Sequence, residues 1–137
     1  MSMENPTNEE IKTLLHQSKR IAVVGLSENP ERTSHMVSEA MQNAGYEIIP
    51  VNPTAKEVLG MKAVSSLKEI EGAIDIVNVF RRSEYLPEVA KEAIEVGAKA
   101  FWAQLGVENQ EAYDLLKEHD IQTVMNRCIK VEHAKWK

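Results

Sequence analysis

The stretch Arg20-Ile21-Ala22-Val23-Val24-Gly25-Leu26-Ser27-Glu28-Asn29-Pro30-Glu31-Arg32-Thr33-Ser34 decides the architecture. Its first half is a short, nearly continuous apolar run that stops at a glycine. That pattern marks a strand covered on both faces, as strands of parallel sheets are. The second half holds the turn formers Ser27, Asn29 and Pro30 and runs into a helical period. Val37, Ala40, Met41 and Ala44 then fall at i, i+3, i+4 and i+7, and Gly45 sits where a helix closes. Strand, glycine turn and helix make the opening of a βαβ unit.

The same alternation continues in both directions. Upstream, Thr7 and Glu10 have capping-box spacing for a helix over residues 8–18, with Ile11, Leu14 and Leu15 on one stripe. Downstream, strands are predicted over 46–51, 62–64, 74–80, 99–103 and 121–125. A short helix is predicted from Ser65 or Ser66 to Ile70, a longer one capped by Ser83 and closed by Gly97, and another over 108–119. The tail, 126–137, reads as irregular or weakly helical. The expected fold is α/β: a single-domain Rossmann-like, doubly wound, mainly parallel sheet of about five strands with helices on both faces. Residues 1–18 supply an N-terminal helix packed on the domain formed by 19–137.

Composition narrows the function classes. A chain of 137 residues, 43% apolar and 27% charged, suits one soluble domain. The formal charge of −5 argues against nucleic-acid binding. No apolar run approaches the roughly 18 residues of a membrane span, and the N-terminus has no secretory pattern. Cys128 is the one cysteine, so neither a disulfide framework nor a cysteine zinc site is available. The four histidines share no ligand spacing, so no metal site is expected. A cytoplasmic location is the expectation that remains.

In a doubly wound sheet the ligand sits outside the carboxyl ends of the strands. Gly25 permits a tight turn close to a ligand, and the following helix offers amides and a positive dipole end. Ser27, Asn29, Thr33 and Ser34 add neutral donors, and Arg32 adds a cation that can fork onto phosphate. The same residues also suit a plain βα loop with a capped helix. The dinucleotide fingerprint is absent: Ser27 and Pro30 stand where its glycines belong, and Asn52 follows the second strand where an acid is wanted. No P-loop is present either. Val51-Asn52-Pro53 forms a stiff wall suited to a flat adenine or a pantetheine arm, or simply a strand stopped by proline. Phe80, Arg81 and Arg82 end a further strand, and Gln104 and Gly106 another. No catalytic set emerges from His16, His35, His119, His133, Glu28, Glu31 or Glu132. Cys128, flanked by Arg127 and Lys130, reads equally as a small buried hydrophobe or a reactive thiol.

Six runs come in a recognisable order: 23–32, 51–53, Leu59-Gly60, 75–82, 102–106 and Asn126-Arg127-Cys128. Over about residues 19–130 the chain resembles the small stand-alone CoA-binding domain proteins, relatives of the CoA-binding domain of the succinyl-CoA synthetase alpha subunit. The resemblance implies a coenzyme A or acyl-CoA site. Gly25, Ser27 and Arg32 correspond to the diphosphate and ribose-phosphate loop, with Asn29 and Ser34 beside it. Val51, Asn52 and Pro53 correspond to the segment along the nucleotide or pantetheine. Phe80 and Arg81 correspond to the next wall, and Gln104 and Gly106 to the pantetheine end. Where the family often has Asp-Arg-Cys, this chain has Asn126-Arg127-Cys128, which removes an ionic role at 126. The expected function is a non-catalytic binding, carrier or regulatory module for a small-molecule CoA ligand. Two alternatives stand: a nucleotide- or CoA-dependent enzyme, NAD(P)-linked chemistry being the less favoured form, and a thiol switch forming a CoA mixed disulfide at Cys128. A homodimer or an unidentified protein partner is compatible with the apolar stripe of the first helix.

Overall fold

The computed structural model describes residues 3–136; Met1, Ser2 and Lys137, the outer ends of the two expected segments, lie outside the described residues. The elements in chain order are α1 (Asn8–Gln17), β1 (Arg20–Val24), α2 (Thr33–Asn43), β2 (Glu47–Val51), β3 (Glu57–Val58), β4 (Met61–Lys62), β5 (Ile76–Val79), α3 (Leu86–Glu95), β6 (Ala100–Ala103), α4 (Gln110–Glu118), β7 (Gln122–Val124) and α5 (Ile129–Ala134). β2-β1-β5-β6-β7 form one sheet, with every neighbouring pair parallel.

Successive residues of β1 point to opposite faces, as the pleat requires. Ile21 and Val23 join the core beneath α1, α2 and α5, with Ile11, Leu15, Val37, Met41 and Ile129. Ala22 and Val24 join the core beneath α3 and α4, with Leu86, Val89, Ala93, Ala112 and Leu116. Burial on both faces explains why β1 is apolar without alternation. The expected Rossmann-like, doubly wound sheet of five strands is the one formed. From β1 the chain passes to the edge strand β2, then returns across β1 to β5. Strand order reverses between β1 and β5, and the crevice such a reversal opens lies at their carboxyl ends.

Local expectations are corrected in four places. Residues 62–64 do not add a sheet strand. β3 and β4 form a hairpin turning at Leu59 and Gly60, whose φ values of 55° and 76° are the left-handed pair a two-residue turn needs. Val64 adds only an isolated parallel bridge to Val51. The segment expected to be a short helix toward Ile70 forms a single 3₁₀ turn, Leu67–Glu69, capped by Ser66. Ser83 opens another 3₁₀ turn rather than capping a helix, because its hydroxyl accepts from the Glu108 N–H at 3.0 Å. Within the tail, Ile129–Ala134 forms a regular helix, α5, anchored by buried Ile129, while 126–128 are irregular as expected. Pro50 sits inside β2 without loss. Glu47 N–H faces β1 and Asn52 N–H faces outward to Val64, so the nitrogen of Pro50 falls on the outer side of an edge strand.

Candidate functional site at the carboxyl ends of the strands

Gly25 ends β1 at the strand-order reversal with φ of +86°. Its N–H bonds the Val51 carbonyl at 3.0 Å, while the Phe80 N–H bonds the Val24 carbonyl at 2.9 Å. The ends of β2, β1 and β5 are thereby drawn together at one point. A Cβ on Gly25 would lie 2.6 Å from the Phe80 carbonyl oxygen, a backbone atom that cannot swing aside. Only glycine combines this φ with this approach.

Beyond Gly25 the loop is tied by its own polar groups. Ser27 N–H donates to the Ser34 hydroxyl and Asn29 N–H to the Ser27 hydroxyl, each at 3.0 Å, and Glu31 N–H to the Asn29 side chain. His35 Nδ1 lies 2.9 Å from the Ser27 carbonyl. A carbonyl only accepts, so His35 carries its proton on Nδ1 in this contact. Arg32 stands at the N-cap of α2 without a side-chain capping bond, and no acidic residue lies in the first turn. The Thr33 and Ser34 amides that open α2 have no intrahelical acceptor. Arg32 itself is exposed and makes no ion pair among the described residues. The outcome is a rigid loop beside two open N–H groups, a dipole end and an unengaged guanidinium.

Two clefts meet at Gly25 and Ser27. One, of about 440 Å³, is bounded by Arg32, Thr33, Ser34 and Phe80. The other, of about 350 Å³, is bounded by Val24, Val51, Asn52, Pro53, Ser65, Ser66, Arg81, Val89 and Glu92. Both volumes fall in the range of small-molecule sites. The first opens on the α2 face and the second on the α3 face, so a ligand filling both crosses the sheet end over Gly25.

Most sequence-predicted residues gather here: Gly25, Ser27, Arg32, Ser34, Val51, Asn52, Pro53, Phe80 and Arg81 all line one cleft or the other. Asn52 stiffens its wall by more than the adjacent proline. Its amide donates to the Leu26 carbonyl at 2.9 Å, and its oxygen accepts from Thr54 and Ala55. Arg81 lies 4.4 Å over the Tyr85 ring, a cation–π contact that orients the guanidinium. Arg82 instead extends into solvent beside Glu84 at 3.7 Å.

Gln104 and Gly106 stand apart from both clefts. Gln104 is 4% exposed, and its oxygen faces the Ile129 N–H at 3.4 Å and the Asn78 amide at 3.5 Å. Gly106 N–H donates to Asn126 at 2.7 Å. Asn29 points its oxygen back into its own loop. Trp102 is buried, and its ring N–H holds the Arg127 carbonyl at 2.8 Å. This pins the segment carrying the partly buried Cys128 against the end of β6. Strand-end reasoning misses Ser65, Ser66, Tyr85, Val89 and Glu92. Val89 and Glu92 share an i, i+3 face of α3, which is the one signal the sequence offered. Among the described residues no three His, Cys, Asp or Glu side chains gather as a metal site, and no helix is long and apolar enough to cross a membrane.

Comparison with known proteins agrees with this fold. Residues 19–134 match a family model described as a CoA binding domain. The chain is 67% identical over 132 residues to the uncharacterized protein YneT of Bacillus subtilis, covering 96% of this chain and 98% of that one. It is 32% identical over 80 residues to the ADP-forming acetate–CoA ligase II alpha subunit of Pyrococcus furiosus, a match spanning 58% of this chain and only 18% of that subunit. A solved structure of a hypothetical protein from Pyrococcus horikoshii superposes with a TM-score of 0.92 at 36% identity, covering 99% of each chain.

Proposed function

The chain belongs to the CoA-binding domain family, and we propose that it binds coenzyme A or an acyl-CoA over the Gly25 saddle as a binding, carrier or regulatory module. The observation that carries this reading is the saddle itself. A backbone with no room for a Cβ lies beside an α2 start whose amides have no side-chain cap. CoA carries a diphosphate and a 3′-phosphate, and these anions suit open amides, a helix dipole and Arg32. Ser27 adds a hydroxyl, and Val51, Pro53 and Phe80 add apolar walls. The donors fit the group. Each charge-assisted contact contributes roughly 1.5–3 kcal/mol, less where water screens it. Such contacts bind phosphates despite the net charge of −5, because they act at hydrogen-bond range.

Isothermal titration of the purified chain with CoA, acetyl-CoA and NAD tests the reading. CoA and acetyl-CoA should bind and NAD should not, since Asn52 replaces the acid that a dinucleotide ribose requires. No binding of any CoA species at about 1 mM, an affinity of only about 4 kcal/mol, overturns it.

A second reading concerns Cys128. It and Phe80 pack against the same core, beneath the α2 face. A pantetheine arm leaving the Arg32 cleft past Phe80 runs along that face. With an added oxidant accepting two electrons and two protons, its thiol and Cys128 would join as a mixed disulfide. Mass spectrometry after oxidation in the presence of CoA should then show one added CoA, absent from Cys128→Ser. An unmodified Cys128 under those conditions removes this reading.

A further inference from the structure

The two clefts beside Gly25 differ in hydrogen-bonding character. The α2 side offers donors: the Thr33 and Ser34 amides and Arg32. At the far end of the α3 side the polarity is reversed. The Ser66 hydroxyl donates to Glu92 Oε1 at 3.3 Å, and the Ser65 hydroxyl donates to Glu69 Oε2 at 2.5 Å. Both hydroxyl protons are therefore directed at carboxylates. Glu92 Oε2 has no hydrogen bond or ion pair among the described residues, although the side chain is only partly exposed. An ionised carboxylate accepts and cannot donate. The open Glu92 oxygen therefore disfavours a phosphate beside it and calls for a group with N–H donors. Of the cleft's remaining walls, Val24, Val51, Pro53 and Val89 are apolar and suit a flat ring, while Asn52 and Arg81, the latter stacked over Tyr85, add polar edges.

We infer that Glu92, oriented by Ser66, is a specificity-determining residue that accepts from the exocyclic amine of a 6-aminopurine ring. This deepens the CoA reading and rests on it. The adenine then lies on the α3 side, the diphosphate crosses Gly25 to the start of α2, and the pantetheine leaves along the α2 face. A 6-oxo ring puts an oxygen against the carboxylate and is disfavoured, as a base in a site built for a donor is.

The test compares CoA with deamino-CoA, whose amine is replaced by a carbonyl oxygen, by titration of the full chain. The wild type should favour CoA by about tenfold, a modest ratio because Glu92 is in partial contact with water. In Glu92→Ala the ratio should fall to about one, and in Glu92→Gln to one or below, because a rotated amide can donate to the oxo group. The wild-type ratio needs no variant, so loss of folding cannot mask the answer. Equal binding of the two ligands by the wild type, or a ratio untouched in Glu92→Ala, overturns the inference and leaves CoA binding intact. Failure of the wild type to bind either ligand removes both.

Discussion

The two rims of the sheet make an instructive pair. At the amino-terminal rim a broad hollow of about 530 Å³ lies among Glu9, Glu10, Thr13, Gln17, Asp75, Lys99 and Gln122. It is larger than either cleft at the carboxyl rim. Its main polar group is already engaged: Asp75 accepts from the Lys19 N–H at 2.8 Å and the Arg20 N–H at 2.9 Å and pairs with Lys99 at 3.3 Å. Burial alone would raise the Asp75 carboxyl, but the Arg20 and Lys19 amides and Lys99 outweigh it and hold it below its ordinary value. At the carboxyl rim the reverse holds. Among the described residues, Arg32, the first amides of α2 and one oxygen of Glu92 are left without partners. Parallel strands explain the asymmetry, since every βα loop, and the helix start that follows it, lies on one side. Size of hollow does not mark a site here; unengaged polarity does.

The comparison breaks most visibly at Gly25. Gly25→Ala should reduce CoA affinity by a hundredfold or more, roughly 3 kcal/mol, and lower stability by about 1–3 kcal/mol, because the new Cβ meets the Phe80 carbonyl at a left-handed φ. Titration and denaturant unfolding read the two effects. A variant that binds CoA normally would show that the saddle is not the contact surface.

Arg32→Ala and Asp75→Ala should separate the rims. Arg32→Ala should weaken CoA binding by about tenfold or more, with denaturant unfolding unchanged, because the side chain is exposed and makes no ion pair among the described residues. Asp75→Ala should cost about 2 kcal/mol of stability by leaving two amides without their acceptor, with CoA affinity unchanged. If both variants move the same quantity, the division between the rims fails.

A smaller effect is in pH. The Asp75 carboxyl has a folded pKa below its unfolded value, so its contribution is complete above the unfolded pKa, near about 4. That contribution is lost as pH falls through the folded value. Stability measured across acid pH should therefore decline less steeply in Asp75→Asn than in the wild type. Arg82→Ala should have the smallest effect, within about 0.5 kcal/mol in stability and twofold in affinity, since the side chain extends into solvent. A large loss of affinity in Arg82→Ala would mean the cationic surface reaches beyond Arg81.

How much of this was legible in the sequence follows from what controls each feature. β1, Gly25 and α2 are legible because burial on both faces and a steric demand for glycine leave direct marks in residue type. The place of the site is legible because a parallel sheet puts its loops at one end. Ser66 and Glu92 are not, because they come from a 3₁₀ turn and the body of α3 and meet only through packing. Gln104 shows the opposite failure. It follows β6 as a ligand residue would, yet its side chain turns inward to the start of α5, an element whose packing no local pattern announces. The hairpin at Leu59-Gly60 is hidden for a related reason: two-residue strands are too short to show alternation.

The most direct measurement is amide chemical-shift mapping of the isotopically labelled chain during addition of CoA. The largest shifts are expected at Gly25, Ser27, Arg32, Thr33 and Ser34, with further shifts at Asn52 and Arg81 and none at Glu9, Glu10, Asp75 or Lys99. Shifts centred on the amino-terminal rim, or no shifts at either rim, would contradict it.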